Sequence, residues 1–452
     1  MSIDQYSTTP ANNDLTNYFK TGMRPSAVKN AGWDIMADLA SYAVSLPAAG
    51  GTATALTVSN GRPFGVLVPG ILQILNPASA NTGPTTLAPD GLTATAIFAN
   101  GAKLAGGEMQ PGVPAFLKYD GTQWNLLNPS PAGRNAFMDP CCRVNQTGTA
   151  PSLTTAYGYG GVDLVQCKAT GTAVSAGTIT QDTTGVIASA ATPYASKIAA
   201  ATITGTGKVF FRRWVESRDA AAFIGGYGLF SVLVRQDTGS SINAFLTVNA
   251  FQSQDSPGTV VQIATGSGSP VSVLTGADTL VTLAIPNMSV AGTAGNGFEV
   301  ILEMDCGAVT TKNFYATDWQ ACLKTLAQKV SVPRFADDLE AAMSWYEQTY
   351  AYGVAPGTTT SQAIIVGSAP GAVANGAGFL NSSWRFLIRK RLTPTFALYA
   401  KDGTPGKVTA AGVDTAAIAP GDTTGVTPLN NSGGSVSAAT TIQFHAVADC
   451  RL

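Results

Sequence analysis

The pattern of apolar and polar positions indicates a helix that begins at Pro25. Proline fits the first turn of a helix, and the hydroxyl of Ser26 can accept a hydrogen bond from an unpaired backbone N–H group there. The apolar residues that follow recur at helical spacing and define one face: Val28, Ala31, Ile35 and Leu39, flanked by Trp33 and Met36. Residues 1–46 are therefore predicted to contain one short amphipathic helix.

Beyond Pro47 the pattern changes to short apolar runs that are typical of β-strands. Asn-Gly and Asp-Gly dipeptides separate these runs, and such pairs accept the positive φ angles of tight hairpin turns. They stand at Asn60-Gly61, Asp90-Gly91, Asn100-Gly101 and Asp120-Gly121. The pattern predicts a small antiparallel β domain over residues 47–130, which ends at the Pro-rich stretch LNPSPAGRN.

A second β region is predicted over residues 135–332, because apolar and polar residues alternate there with the period of a strand. In SINAFLTVNAF the apolar positions of one face are Ile242, Ala244, Leu246 and Val248. In FEVILEMD they are Phe298, Val300, Leu302 and Met304, opposite Glu299, Glu303 and Asp305. Strands of this length, separated by Gly-rich breaks, predict a β-sandwich.

A second helix is predicted within residues 333–352, where acidic residues in the first turns suit the positive end of the helix dipole. Its apolar stripe consists of Phe335, Leu339, Ala342, Met343, Tyr346 and Tyr350. From Gly353 onwards the pattern is again that of strands, with a hairpin turn at Asp402-Gly403. Residues 353–452 are therefore predicted to form a C-terminal β-sandwich.

Composition agrees with a β-rich chain and argues against two kinds of partner. Charged residues make up 12% of the 452 residues, about half the share of roughly 25% in typical soluble domains, and there are 49 glycines. Lys and Arg (26) balance Asp and Glu (27) without a basic run, so no nucleic acid is expected as a partner. No apolar segment reaches the ~18 residues of a membrane span, so neither membrane insertion nor a signal peptide is predicted.

Candidate catalytic and metal-binding residues are few. The six cysteines lack the paired spacing of a zinc site, and with one histidine in the chain neither a metal nor a cofactor is expected. That histidine, His445, lies in an alternating strand, where a packed or hydrogen-bonded role is the more common one. Glycan hydrolysis needs two carboxylates, for which the candidates are Glu216 with Asp219 and Glu303 with Asp305. Neither pair stands out, so no catalytic residue is predicted.

Aromatic and amide side chains on loops are the candidate binding residues. Sugar sites on β-sandwich loops use aromatic faces, with amides and carboxylates for the hydroxyl groups. In TAYGYGGVD, Tyr157 and Tyr159 flank one glycine, so both would project the same way, although ordinary turn or core tyrosines are the alternative interpretation. The second candidate is the loop VTPLNNSGGSVS, with Asn430 and Asn431.

Five stretches of the sequence carry a resemblance to one family. In chain order they are GMRPSAVKNAGWDIMADLASY, the segment from ANTGPTTLAPDG to YDGTQWNLLNP, the pair FFRRWVESRDAAAFIGGYGLFSVLVRQ and VPRFADDLEAAMSWYEQTY, and FHAVADCRL. These stretches resemble parts of the tail fibres and related receptor-binding proteins of tailed bacteriophages. In the same order, the parts are the virion-attachment helix, a β module, the jelly-roll carbohydrate-binding-like module with its trailing helix, and the C-terminus. The segment NAFMDPCCRVNQTGT departs from the family pattern by its cysteine pair.

The resemblance implies a fold that is mainly β: an N-terminal attachment helix, a small antiparallel domain, a jelly-roll-like sandwich, a connecting helix and a C-terminal sandwich tip. A homotrimer is expected, since three-fold association would also cover the apolar faces and strand edges of a chain with so few charges. The helix would bind phage tail proteins, or the neighbouring helices of a trimer, through its Val28, Ile35 and Leu39 face with Pro25 and Trp33, unless it folds back on the first β domain.

The implied function is attachment of a phage to its host. The distal domains would bind a host surface glycan or outer-membrane receptor with the tyrosines and asparagines named above, without catalysis. The protein would be made in the host bacterial cytoplasm and reside in the virion tail. Two alternatives stay open: a structural tail or adaptor protein that binds only virion proteins, and a less favoured tailspike-like depolymerase, whose usual parallel β-helix repeats are not visible in the sequence.

Overall fold

A computed structural model of the chain describes residues 47–451 with the exception of short stretches. These are 61–62, 82, 100, 105–107, 110, 130–134, 225, 289–293, 324–329, 331, 369–371, 373–383, 419–420, 427–429, 432–436 and 438–439. The predicted attachment helix, with Pro25, Val28, Trp33, Ile35 and Leu39, lies outside the described residues. The chain divides into two compact units, residues 1–134 with 322–328 and residues 135–321 with 329–452.

The first unit is a mixed β-sheet with eight strands among its described residues. They are β1 (Gly50–Thr52), β2 (Ala55–Val58), β3 (Leu72–Leu75), β4 (Thr86–Pro89), β5 (Thr95–Ala99), β6 (Ala102–Lys103), β7 (Ala115–Tyr119) and β8 (Trp124–Leu126). Their order is β1-β2-β4-β5-β8-β7-β3, with β6 beside β5. The prediction of a wholly antiparallel sheet is wrong. Strand β3 lies at the far edge, and the chain returns from it to place β4 parallel to β2. Strands β5 and β8 are also parallel.

Two of the predicted Asp-Gly turns are well formed in this sheet. Asp90 and Gly91, between β4 and β5, both have positive φ angles, 53° and 76°. After β7 the carboxylate of Asp120 accepts hydrogen bonds from the backbone N–H groups of Thr122 and Gln123, both at 2.9 Å. The bond from Thr122 is the largest reason why the pKa of Asp120 lies well below its usual value. The core beneath these turns is formed by Leu75, Leu87, Ile97, Leu117 and Trp124.

The second unit contains a β-sandwich of two sheets. Its strands are β9 (Gly158–Gly160), β10 (Val162–Thr170), β11 (Ala173–Asp182), β12 (Ala195–Thr204), β13 (Lys208–Glu216), β14 (Gly228–Gln236), β15 (Ile242–Ser253), β16 (Ser256–Thr265), β17 (Val271–Val273), β18 (Thr279–Ile285), β19 (Gly297–Asp305) and β20 (Val309–Cys322). We name as the front sheet the one with the order β16-β15-β19-β13-β10-β9, in which β17 pairs with β15. The back sheet has the order β11-β12-β20-β14-β18.

The two sheets pack face to face around an apolar core. The rings of Phe230 in the back sheet and Phe298 in the front sheet meet edge to face, with centroids 5.6 Å apart. The alternation predicted for two strands is confirmed, because the apolar side chains that it assigned to one face are buried: Ile242, Ala244, Leu246 and Val248 in β15, and Phe298, Val300, Leu302 and Met304 in β19. The alternate residues of these strands form the outer face of the front sheet.

Two α-helices occur among the described residues, α1 (Ser217–Ala220) and α2 (Phe335–Met343), together with short 3-10 turns at Ala221–Phe223 and Ala294–Asn296. Helix α2 is shorter than the segment 333–352 predicted for it. Residues 346–348 instead form a strand that pairs with Val447–Asp449, so backbone pairing with a distant strand overrides the helical periodicity. Within the described part of the chain, no helix has the length and apolar character needed to cross a membrane.

The C-terminal region is built around its last strand. The strands are β21 (Tyr346–Gln348), β22 (Ile365–Ser368), β23 (Trp384–Arg385), β24 (Thr395–Tyr399), β25 (Lys407–Ala410), β26 (Val413–Ile418), β27 (Gly425–Val426), β28 (Asn430–Asn431) and β29 (Thr441–Asp449). Strand β29 pairs with β21, β22, β24 and β25, while β23 and β27 pair with each other. After β29, the Arg451 guanidinium donates to the Asp163 carbonyl at 3.4 Å, so the C-terminus packs on the sandwich within one unit.

Candidate functional site

The outer face of the front sheet carries an unusual set of side chains. Along β13 the outward residues are Lys208, Phe210, Arg212, Trp214 and Glu216, and all but Glu216 are half-buried. The residues between them, which point to the core, are fully or almost fully buried: Val209, Phe211, Arg213 and Val215. This alternation places two rings and two cations in one row on the outside of the sandwich.

A row of polar groups crosses the same face perpendicular to the strands. Arg212 lies opposite Gln166 of β10, and Glu299 of β19 lies opposite both Trp214 and Asn249. The Arg212 Nε donates to the Gln166 Oε1 at 2.9 Å, and its Nη1 donates to the Glu299 Oε2 at 3.4 Å. The Asn249 Nδ2 donates to the Glu299 Oε1 at 2.6 Å. Gln166 and Glu299 are only 7% and 4% exposed, so the floor of this outer face is polar and largely desolvated.

Aromatic rings and cations alternate along the edge of this polar row. The Arg212 guanidinium lies 3.7 Å from the centroid of the Tyr157 ring and 4.2 Å from that of Trp214. The Lys168 ammonium lies 4.3 Å from the Tyr157 ring and 4.8 Å from the Phe210 ring. Burial and, next in importance, the neighbouring Arg212 charge lower the pKa of Lys168. Two aromatic rings thus flank the Lys168 ammonium on this face.

Tyr159 connects this face to a cavity. Its hydroxyl accepts a hydrogen bond from the Trp214 Nε1 at 3.3 Å, and its ring lies 4.3 Å from the Arg451 guanidinium. The cavity has a volume of about 350 Å³, including its mouth. It is lined by Met138, Tyr159, Leu164, Arg213, Trp214, Glu216, Trp345 and Arg451. Trp214 and Tyr159 therefore belong both to the outer face and to the cavity wall.

Internal partners neutralise the acid and one cation of the cavity wall. Glu216 accepts a hydrogen bond from the Trp345 Nε1 at 3.1 Å and forms an ion pair with Arg391 at 2.9 Å. Burial is the main cause of the raised pKa of Glu216. Arg451 forms two hydrogen bonds to the Asp449 carboxylate, at 3.0 and 2.7 Å.

The structure brings together one of the two predicted pairs of binding residues. The Tyr157 ring contacts Arg212 and the Tyr159 hydroxyl contacts Trp214, so both tyrosines lie over the same face, as their spacing predicts. Asn430 and Asn431 form β28, which pairs with β26 in another sheet. A role in binding stays a prediction for all four residues.

Sequence reasoning missed the central residues of this face, which are Gln166, Lys168, Arg212, Trp214, Asn249 and Glu299. The signal that could have found them is the alternation in KVFFRRWVE, where aromatic and basic residues occupy the outward positions of a strand. Gln166 and Asn249 carry no such signal, because they join the row only through the pairing of β10 with β13 and of β15 with β19.

The residues considered for catalysis occupy ordinary packed or paired positions. The His445 ring is fully buried and stacks on Tyr350 with centroids 3.9 Å apart, and its Nε2 lies 3.2 Å from the Thr360 carbonyl. Burial lowers the pKa of His445. Glu303 and Asp305 both pair with the Lys208 ammonium.

The six cysteines are buried, and none of them forms a disulfide bond. Burial raises the pKa of the Cys142 thiol to about 12, so this group is not a reactive thiolate. Among the residues that the structure describes, no cluster of three or more His, Cys, Asp or Glu side chains could hold a metal ion.

Comparison with known proteins gives similarity of structure alone. No protein-family model matches the sequence, and no curated protein matches it. The chain is similar to a carbohydrate-binding module of the β-sandwich superfamily (13% identity, 56% of this chain and 92% of that one, TM-score 0.27). It is similar to the CBM22-1 xylan-binding domain of Paenibacillus barcinonensis Xyn10C (11% identity, 41% and 100%, TM-score 0.24) and to the enzymatically active domain of bacteriophage CBA120 tailspike protein 4 (9% identity, 35% and 19%, TM-score 0.22). At these TM-scores the similarities support no inference about ligand or activity.

Proposed function

We propose that this chain is a receptor-binding tail fibre of a tailed bacteriophage and that the outer face of its front sheet binds a host surface glycan. The observation that carries the proposal is the desolvated polar row of Gln166, Arg212, Glu299 and Asn249 beside the Trp214 ring. Amide and carboxylate groups of this kind can exchange hydrogen bonds with sugar hydroxyls. The ring offers apolar surface to the C–H side of a pyranose.

Two features of this face favour a sugar over a charged ligand or a protein partner. Arg212 is already neutralised by Glu299, and Lys208 by Glu303 and Asp305, so the face presents polarity with little net charge. Hydrogen-bonding groups separate the half-buried rings of this face, because Glu303 lies between Phe210 and Phe245 and Arg212 lies between Phe210 and Trp214. A protein partner would need a larger apolar centre to bind stably.

The phage assignment rests on the sequence resemblance described above. Under this proposal the segment 1–46 fixes the fibre to the virion tail, the chain assembles as a homotrimer, and the protein is made in the host cytoplasm before it enters the particle. Binding occurs without cleavage of the glycan. The pairing of Glu303 and Asp305 with one lysine supports this last point, since both carboxylates are occupied by a structural contact.

A binding assay on extracted bacterial surface polysaccharides tests the proposal. The purified full chain is applied to an array of such polysaccharides, and each bound polymer is then sized by gel filtration after incubation. We expect saturable binding to at least one polysaccharide with no change in polymer length. Shortening of the polymer would instead indicate a depolymerase, and absence of any bound polysaccharide would contradict the proposal and favour an adaptor protein.

A further inference from the structure

The cavity beside Tyr159 opens next to the face that we assign to glycan binding. Trp214 contributes to both, because Arg212 packs on its ring and its Nε1 donates to the Tyr159 hydroxyl that lines the cavity. A group that projects from a sugar bound on the front sheet would therefore meet this cavity. Much of its volume of about 350 Å³ is open solvent at the mouth, so the enclosed part has room for a small substituent of a sugar and not for a polymer.

The interior of the cavity is mainly apolar. The Arg213 Nη1 donates to the Asp139 carbonyl at 3.0 Å, and its Nη2 donates to the Met138 carbonyl, so this guanidinium is held by backbone. Glu216 is held by Trp345 and Arg391. The walls then consist of ring surface and of the apolar side chains of Met138 and Leu164.

Arg451 supplies the polar group of the cavity. Its partners among the described residues are the Asp449 carboxylate and the Asp163 carbonyl. A guanidinium carries more N–H groups than these partners accept, so it can still donate to a ligand. A second carboxylate is disfavoured there, because Asp449 already neutralises the guanidinium.

We propose that this cavity receives an acyl substituent, an acetamido or O-acetyl group, of a glycan bound on the front sheet. The methyl group would lie against Met138 and Leu164, and the carbonyl oxygen would accept a hydrogen bond from Arg451. This inference rests on the proposed glycan-binding function and adds to it the chemical class of the sugar.

The test compares glycans that differ only in acylation. Pairs of bacterial oligosaccharides, each with and without its N- or O-acetyl groups, are titrated with the wild-type full chain. We expect the acylated member to bind at least about ten-fold more tightly, the discrimination typical of one filled apolar pocket. Equal affinities within the bound pairs would overturn the acyl assignment and leave the front-face proposal standing. No binding to any member would overturn both.

Two variants test whether the preference for the acylated glycan arises in the cavity. Met138→Phe and Leu164→Phe each place a ring in the cavity, and neither residue belongs to the polar row. We expect both variants to lose the preference for the acylated glycan while their affinity for the deacylated one stays within about two-fold of wild type. If a variant with the melting temperature of the wild type kept the preference for the acylated glycan, the assignment of the cavity to an acyl group would be overturned. If one variant fails to fold, the other still provides the test.

Discussion

The two sheets of the sandwich have the same kind of inner face but very different outer faces. On the back sheet, Ile187 of the β11–β12 connection packs with Leu233 and Tyr315, so apolar side chains close part of the outer face. Strand β18 ends this sheet with the simple exposed positions Leu280, Thr282 and Ala284. On the front sheet the outer face holds a buried polar row beside half-buried rings.

The difference between the two outer faces is the reason why we assign the ligand to the front sheet. Burial of a carboxylate and an amide costs free energy unless each finds partners, and a strand avoids this cost when its outward positions hold no acid or amide, as in β18. The front sheet instead keeps Glu299 and Gln166 largely desolvated and hydrogen-bonded to side chains of neighbouring strands. Such an arrangement is rigid before a ligand arrives, which reduces the entropy lost on binding.

The largest expected effect comes from removal of the rings at the centre of the front face. The double variant Tyr157→Ala, Trp214→Ala should bind the target glycan more than about 100-fold less tightly, because interface energy concentrates in such aromatic residues. Titration calorimetry measures the loss. The matched control is Leu280→Ala on the back sheet, and a comparable loss in that variant would mean that the two outer faces do not differ in function.

The second-largest effect is expected from a change in the polar row of the front sheet. In Glu299→Gln the ion pair with Arg212 is lost, and we expect the free energy of unfolding to fall by about 1–3 kcal/mol. Urea denaturation gives this value. The control Glu303→Gln removes a pair whose Lys208 is 41% exposed, and such pairs contribute about 0–1 kcal/mol. Equal losses in the two variants would show that the row is no more desolvated than an ordinary surface.

A pH titration separates the front sheet from the C-terminal region. Burial lowers the pKa of His445 below its usual 6.5, so as the pH falls the unfolded chain takes up this proton before the folded chain does. Its contribution to stability is fully present above pH 6.5 and declines below it. Burial raises the pKa of Asp139 to about 7, so its contribution to the free energy of unfolding changes with pH in the opposite direction and is lost as the pH rises through 7.

The variant His445→Gln isolates the histidine from that background. The decline of stability below pH 6.5 should be smaller in the variant than in the wild type, as measured by urea denaturation at each pH. Affinity for the glycan should not change, because His445 packs on Tyr350 in the C-terminal region. A weakened affinity at neutral pH would place part of the binding site outside the front sheet.

The smallest effect is expected on the back sheet itself. Thr282→Ala changes an exposed position of β18, so both stability and glycan affinity should stay within about 0.5 kcal/mol of the wild type. Thermal melting and titration calorimetry check this expectation. A larger change in affinity alone would extend the site to the second face.

Sequence patterns predict the strands of this fold better than their partners. Alternation identifies β15 and β19, because each has one buried and one outward face. It does not reveal that β4 lies parallel to β2, or that Tyr346–Gln348 pairs with β29 instead of extending α2. Those features depend on contacts between residues that are far apart in the sequence.

The candidate site shows the same limit at the level of single residues. Tyr157 and Tyr159 can be predicted from their spacing around one glycine. Glu299 looks like a solvated strand residue in the sequence, yet it is 4% exposed because Arg212 and Asn249 meet over it from neighbouring strands. A polar row across a sheet is assembled from one residue per strand, so no local motif records it.

A crystal structure of the full chain with its best-binding oligosaccharide would show directly which surface holds the glycan. We expect a sugar ring against Trp214, with hydroxyl groups within hydrogen-bond distance of Glu299 or Asn249. A sugar bound on the back sheet or at the C-terminal loops, with the front sheet free of ligand, would contradict it.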